Sequence, residues 1–409
     1  MKILLKNISN TFNYGSMMMA ENLIAYLNKK INDIEFYIEA FTNEDVERLK
    51  KATNYSRIFC DKVLKIDLIT KKIKYVRVFE RKLRTKSHLI KASKYYDAII
   101  VLGGDDFSEI YYKFPKDNLE IKFVFDEIKT FNKYSKLFMI GQTIGPYTGS
   151  RINMAKKAFS GVKIYTRDDE TTKYMKNVFD IETKTSRDLA FLDLNLQEEY
   201  FKNAESYLKK YDLRENEYIT IVGTGLISKY CKEEKEMVDA FYNLIRRLKK
   251  DKEKIVCLSH VFTPDGINDN ILYKKIDNKY NNYITKNCIV IDEKILPVEA
   301  RMILGHGKYT ITCRMHAAVS TFQMGKPAIC IAYSKKYKGV ISDGLNMSEL
   351  VLDAKEEKFW DDFEEKIMLK VEYLNKENNI DKKIKKNVNK CKLNVKRTLE
   401  NICEELKKD

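Results

Sequence analysis

Long apolar runs are missing from this 409-residue chain. None approaches the roughly 20 residues that cross a bilayer. The apolar stretch in the opening MKILLKNISN is only a few residues long, short of the roughly 7–15 of a signal-peptide core, and then turns polar. It is expected to form the first strand of the fold, and the protein is expected in the cytoplasm. CxxC is absent, and the eight cysteines, at positions 60, 231, 257, 288, 313, 330, 391 and 403, have no metal-like spacing. That pattern in a long chain points to reduced, mostly buried thiols and to no metal. Cys313, beside an arginine, also admits a reading as a reactive thiol. There is no short-period repeat, and the basic runs lack the aromatic-plus-glycine pattern of an RNA-binding motif. Histidine is scarce: His88, His260, His306 and His316 are all there is, and the last three sit at or near the ends of strand-like segments.

What is present is a globular composition. With 44% hydrophobic and 33% charged residues, the chain can bury sizeable cores, and its length predicts two or three domains. The formal net charge of +16 implies a solvated basic surface first, then attraction to the anionic inner face of a membrane; nucleic acid is not expected as a partner.

The stretch Thr310 to Tyr333, TITCRMHAAVSTFQMGKPAICIAY, organises the rest. It reads as a buried strand ending at Arg314-Met315-His316, a small-residue helix, the turn Gly325-Lys326-Pro327 and a second buried strand over 328–332. Carboxyl ends of parallel strands face the ligand crevice of an open α/β sheet, so a guanidinium and an imidazole two residues apart are placed there for an anionic substrate. The guanidinium matches phosphate or carboxylate, and the imidazole can exchange a proton near neutrality. The competing reading pairs Arg314 with a structural carboxylate and uses His316 as a helix cap.

The same strand-then-loop pattern recurs along the chain. Residues 1–8 form an apolar strand, followed by the turn NTFNYGS, with Asn13, Gly15 and Ser16, and a helix over 17–30 whose amides would favour an anion. The run IDLITKKIKYVRVFERKLRTK, 66–86, reads as a solvated basic face. A strand over 98–102 delivers Gly103-Gly104-Asp105-Asp106, where glycine permits close backbone approach and a carboxylate can orient a hydroxyl or act as base. A strand over 136–140 runs into GQTIGPY with Gln142. Thr166 is placed to cap the helix after TRDDET, where Arg167 is either a ligand residue or a partner of Asp168. A strand carries SRDLAF at 186–191. After a polar helical crossover, 195–217, come a strand over 218–222, a long helix to Lys250, and a strand leading to Ser259-His260 and a loop with Asp265, Asn268 and Asp269. The loop SKKYKG supplies Lys335, Lys336 and Lys338, and the last 45 or so residues read as Lys-rich helix. The style common to both halves predicts two doubly wound lobes facing one another.

In their order along residues 8–345, the segments NYGS, GGDDFSE, GQTIGP, TRDDET, SRDLAF, SHVFTPDGINDN and TCRMHAAVSTFQMGKPAICIAYSKKYKG resemble the polysaccharide pyruvyl transferase family. The resemblance implies an α/β fold of two Rossmann-like lobes similar to GT-B glycosyltransferases. It places an acceptor-side lobe at 1–195, a donor-side lobe at 196–365 and Lys-rich helices at 366–409 that fold back on the first lobe. It implies transfer of a pyruvyl group from phosphoenolpyruvate, with no further cofactor, to a sugar of a cell-surface polysaccharide or its lipid-linked precursor. His316 would be the general acid, with His260 as its substitute; Arg314, Met315, Arg167 and Lys335 or Lys338 would hold the donor. Asp105 or Asp106 would serve the acceptor hydroxyl, and Asn13, Gly15, Ser16, Gly103, Gly104 and Gln142 would line the acceptor side. Expected partners are a sugar or glycolipid, an anionic membrane surface in peripheral contact, and further copies in an oligomer. A nucleotide-sugar glycosyltransferase and a non-catalytic sugar- or anion-binding protein are the alternatives on the same fold.

Overall fold

Thirteen strands form two all-parallel sheets among the residues that the computed structural model describes: 1–8, 10–40, 42–64, 86–109, 118–264 and 266–408. The basic run 66–86, except Lys86, and Asp265 lie outside those residues.

The first sheet comprises β1 (Lys2–Lys6), β2 (Glu35–Ile38), β3 (Ile58–Cys60), β4 (Ala98–Leu102), β5 (Lys136–Gln142), β6 (Lys163–Thr166) and β7 (Lys184–Thr185), in the order β3-β2-β1-β4-β5-β6-β7. The second comprises β8 (Tyr218–Val222), β9 (Lys254–Leu258), β10 (Ile289–Ile291), β11 (Thr310–Thr312), β12 (Ala328–Ala332) and β13 (Val351–Asp353), in the order β10-β9-β8-β11-β12-β13. Strands covered on both faces read as unbroken apolar runs, and AIIVL in β4, YITIV in β8 and AICIA in β12 are buried at every position. Strand order reverses between β1 and β4 in one sheet and between β8 and β11 in the other. Those are the switch points outside which an open α/β sheet holds its ligand.

The chain divides into two units. Unit 1 is 1–11, 19–189 and 394–409; unit 2 is 12–18 and 190–393. Each has its own core. In unit 1, Ile99, Val101, Phe125, Phe131, Met139 and Phe159 are all buried together. In unit 2, Tyr218, Val222, Val256, Leu258 and Ile303 form the corresponding cluster, and Phe12 and Tyr14 join it. Burying an aromatic side chain of this size contributes about 1.5–3 kcal/mol, which anchors the short 12–18 segment in unit 2 despite its place near the amino terminus.

Several local expectations are corrected. The helix expected from Met17 begins at Tyr14, so Tyr14, Gly15 and Ser16 of NYGS fall in its first turn and Asn13 just precedes it. The strand expected at 186–191 is instead the two-residue β7 followed by a 3-10 turn, Leu189–Phe191. Asp168, not Thr166, caps the Asp169–Phe179 helix: its carboxylate accepts the Thr171 amide at 2.7 Å. A carboxylate at this position also complements the helix dipole, which a threonine cannot do. His306 ends the Pro297–His306 helix rather than a strand, with Nδ1 at 2.8 Å from the Met302 carbonyl. The carboxyl-terminal residues form two helices, Phe363–Lys376 and Ile380–Lys407.

Candidate functional site

Within unit 2, β11 delivers Arg314 beside the switch point, and the Met315–Gln323 helix starts on the next residue. Arg314 is held from two directions. Its Nε–H and one Nη2–H donate to the same oxygen of Asp269, at 2.8 and 2.6 Å. One residue upstream, the Cys313 carbonyl accepts hydrogen bonds from the hydroxyls of Tyr230 and Tyr337, the latter at 2.6 Å. The tyrosines are buried and fix the peptide from which the guanidinium springs. A guanidinium has five N–H donors in a planar fork, and Asp269 occupies its side edge. The end edge, carrying Nη1, makes no hydrogen bond among the described residues, and the side chain keeps 15% of its surface exposed. That end edge is the one suited to two-pronged recognition of a carboxylate or phosphate. Arg314 thus combines both expectations: a structural carboxylate holds it, and that pairing leaves a donor edge over.

Asp269 is fully buried, and its second oxygen accepts the amides of His260 and Val261 at 3.1 and 2.9 Å. Burial pushes its pKa above the ordinary carboxylate value, and the Arg314 guanidinium and the two amides work against that rise. Its loop is seated against the turn after β8, where a Cβ on Gly225 would lie 2.5 Å from the Asn268 carbonyl oxygen.

The two histidines differ. His260, after β9, is 1% exposed, and burial together with the nearby His316, Arg314 and Arg301 drives its pKa well below the usual imidazole range. Its ring meets Tyr14 edge-on at 5.2 Å between centroids, and its carbonyl accepts the Tyr14 amide at 3.3 Å. His316 is half-buried, in the first turn of its helix. Gly15 abuts it: a Cβ there would lie 2.1 Å from His316 Nδ1 and 2.5 Å from Cγ. Asn13 bridges Val261, so the 13–16 segment is woven into the surroundings of both imidazoles. Ser16 is half-buried in the same turn.

Met315 is 3% exposed and belongs to the core. Lys335 and Lys338 are exposed; Lys338 pairs with Asp343 at 3.0 Å. Cys313 is fully buried and its pKa is raised well above the ordinary thiol value by that burial, which makes it a packing residue rather than a nucleophile.

The remaining candidates lie in unit 1. Arg167 is 1% exposed, with Nη1 on Asp188 at 3.0 Å and Nε on the Thr143 hydroxyl, which in turn donates to Asp168. Burial works against its charge, and Asp188, Asp105 and Asp168 more than offset it. The guanidinium therefore ties the end of β6 to the segment after β7 and to the 143 loop, and it reaches Asp168 through the Thr143 hydroxyl. Asp105 is half-buried and Asp106 exposed, both just past β4. Gly103 is needed for packing: a Cβ there would sit 1.9 Å from the Gly141 carbonyl oxygen on the neighbouring strand. Beside Gly104 only the flexible Asp106 side chain would be met. Gln142 is fully buried, with its amide nitrogen on the Val101 carbonyl at 2.9 Å, so it links β4 to β5.

Among solved structures, the chain is similar to UDP-GlcNAc 2-epimerase from Neisseria meningitidis (12% identity, 99% of this chain and 100% of that one, TM-score 0.62) and to UDP-N-acetylglucosamine 2-epimerase from Rickettsia bellii (10%, 99% and 97%, 0.62). It is also similar to a glycosyltransferase from Rickettsia africae (14%, 100% and 99%, 0.57). These likenesses, with the two parallel sheets, define a GT-B-like α/β protein with carboxyl-terminal helices. A model of the polysaccharide pyruvyl transferase family matches residues 13–335, and the chain belongs to that family.

Proposed function

We propose that the protein moves a pyruvyl group from phosphoenolpyruvate onto two hydroxyls of a sugar in a polysaccharide or its lipid-linked precursor, forming a ketal and releasing phosphate. The observation that carries the reading is the end edge of Arg314, unbonded among the described residues and two residues from His316, at the switch point of unit 2. In the proposed reaction C3 of the enol takes a proton, C2 becomes electrophilic, one hydroxyl adds and the second displaces phosphate. The two hydroxyl protons end on the new methyl group and on phosphate, so the acid is regenerated.

His316 is the proposed acid. A buried His260 that resists protonation is a poor proton source near neutrality, which supports His316 over it. Arg314 is the proposed clamp on the donor's carboxylate or phosphate, with Lys335 adding positive charge toward the leaving group. Arg167, committed to Asp188 and Thr143, is assigned a holding role and not a clamp. Asp105 or Asp106 is the proposed group that orients or deprotonates the acceptor hydroxyl.

The test is to incubate the protein with phosphoenolpyruvate and a panel of glycolipid acceptors and to measure acceptor-dependent phosphate release. Release is expected from wild type and not from His316→Ala. If no acceptor elicits release and a UDP-sugar, not phosphoenolpyruvate, raises the melting temperature, the donor is a nucleotide sugar and the proposal fails.

A further inference from the structure

We propose that Asp269 is the positioning residue of this site: it aims the end edge of Arg314 at the donor and, through its other oxygen, locks the backbone of His260 and Val261 to that guanidinium. The inference rests on the donor reading above for its consequence in binding, though not for its geometry. Nothing in the spacing of the sequence links position 269 to position 314, yet the carboxylate is saturated by four donors from two segments of unit 2.

The geometry separates two roles for a carboxylate beside an arginine. As a mere countercharge, Asp269 would lower the local positive potential, and its removal would tighten the binding of an anion. As a positioning group, it takes Nε–H and one Nη2–H on a single oxygen and thereby fixes the plane of the fork, so that Nη1 and the outer face of Nη2 point together. Its removal then weakens anion binding, because the fork must be ordered at the expense of binding. The two roles predict opposite signs. Burial favours the second, since an exposed ion pair would fluctuate, whereas Asp269 has no solvent contact and the Cys313 carbonyl, one residue before Arg314, is gripped by the hydroxyls of Tyr230 and Tyr337.

The inference is tested on the full chain by phosphoenolpyruvate titration calorimetry of wild type, Asp269→Asn, Arg314→Lys and the double variant. One charge-assisted hydrogen bond made or lost corresponds to about ten- to a hundredfold in affinity, and that weakening is expected for Asp269→Asn. The double variant should bind no more weakly than Arg314→Lys alone, because Asp269 acts through Arg314. Tighter or unchanged binding by Asp269→Asn, or fully additive losses, would overturn the proposal. A second measurement needs neither a stable Asp269 variant nor a donor. In wild type, the Arg314 Nε–H resonance, identified by its loss in Arg314→Lys, should exchange with solvent far more slowly than the Nε–H of exposed arginines. Exchange at the exposed rate would refute the positioning role. Slow exchange in a wild type that binds no phosphoenolpyruvate would instead leave the geometry standing and remove the donor reading.

Discussion

His260 and His316 differ sharply in burial: the first is 1% exposed and the second half-buried. His260 is packed against Tyr14, bonded at both its amide and its carbonyl, and kept neutral by desolvation and neighbouring cations. The unfolded chain binds a proton at this position once the pH falls below the ordinary imidazole pKa of about 6.5, and the folded chain does not. Stability contributed by the neutral ring is therefore intact above about pH 6.5 and erodes as the pH falls below it, by at most about 1.4 kcal/mol per pH unit. Replacing His260 with Gln should flatten the fall of the melting temperature between pH 6.5 and 5, measured against wild type. An unchanged slope would show that His260 is protonated in the folded protein. Types and order of residues made the Arg314-Met315-His316 segment readable in the sequence. The role of Asp269 was not readable, because a contact across 45 positions leaves no periodic trace, and Tyr230 and Tyr337 look like ordinary aromatic residues until their hydroxyls are seen on one carbonyl.

At the scale of elements, strands announced themselves through unbroken apolar runs, and β4, β8 and β12 lie where those runs are. Glycine was less transparent. GG after β4 suggested a backbone left bare for a ligand, whereas Gly103 is bare because the β5 backbone needs the space. The contact is with a carbonyl oxygen and not a rotatable side chain, so no rotamer relieves it. Gly103→Ala should lower stability by about 1–3 kcal/mol or more, seen as an earlier thermal transition. A melting curve superimposable on wild type would show that β4 and β5 can move apart freely. Gly104→Ala, which meets only the Asp106 side chain, is the milder companion variant. Thr166 illustrates the other kind of miss: two hydrogen-bonding residues two positions apart both suit a cap, and only the start of the helix decides between them.

For the molecule as a whole, 75 Lys and Arg against 59 Asp and Glu give the excess of +16. Part of it lies on the outward side of the Ile380–Lys407 helix, where Lys382, Lys386, Lys390, Lys396 and Arg397 are exposed. No helix among the described residues is long and apolar enough to cross a membrane, and exposed cations of this kind suit electrostatic attraction to an anionic lipid surface. Co-sedimentation with phosphatidylserine vesicles at low salt is expected, and it should disappear near 1 M salt, where the screening length is about 3 Å. Binding that survives high salt, or equal binding to neutral vesicles, would rule out an electrostatic surface. The two Rossmann-like sheets could be read from the alternation of strands and glycine loops. The grouping of 12–18 with unit 2 could not, since adjacency along the chain argues for the unit on either side of it.

That grouping has a practical consequence for anyone dissecting the protein. A fragment cut at the obvious crossover, beginning near Ala190, would carry both imidazoles and Arg314 but leave behind the aromatic lid over His260 and the glycine shelf beneath His316. An inert fragment of that kind would say nothing about the chemistry of the intact chain, and grafting residues 12–18 back onto it is the minimal repair.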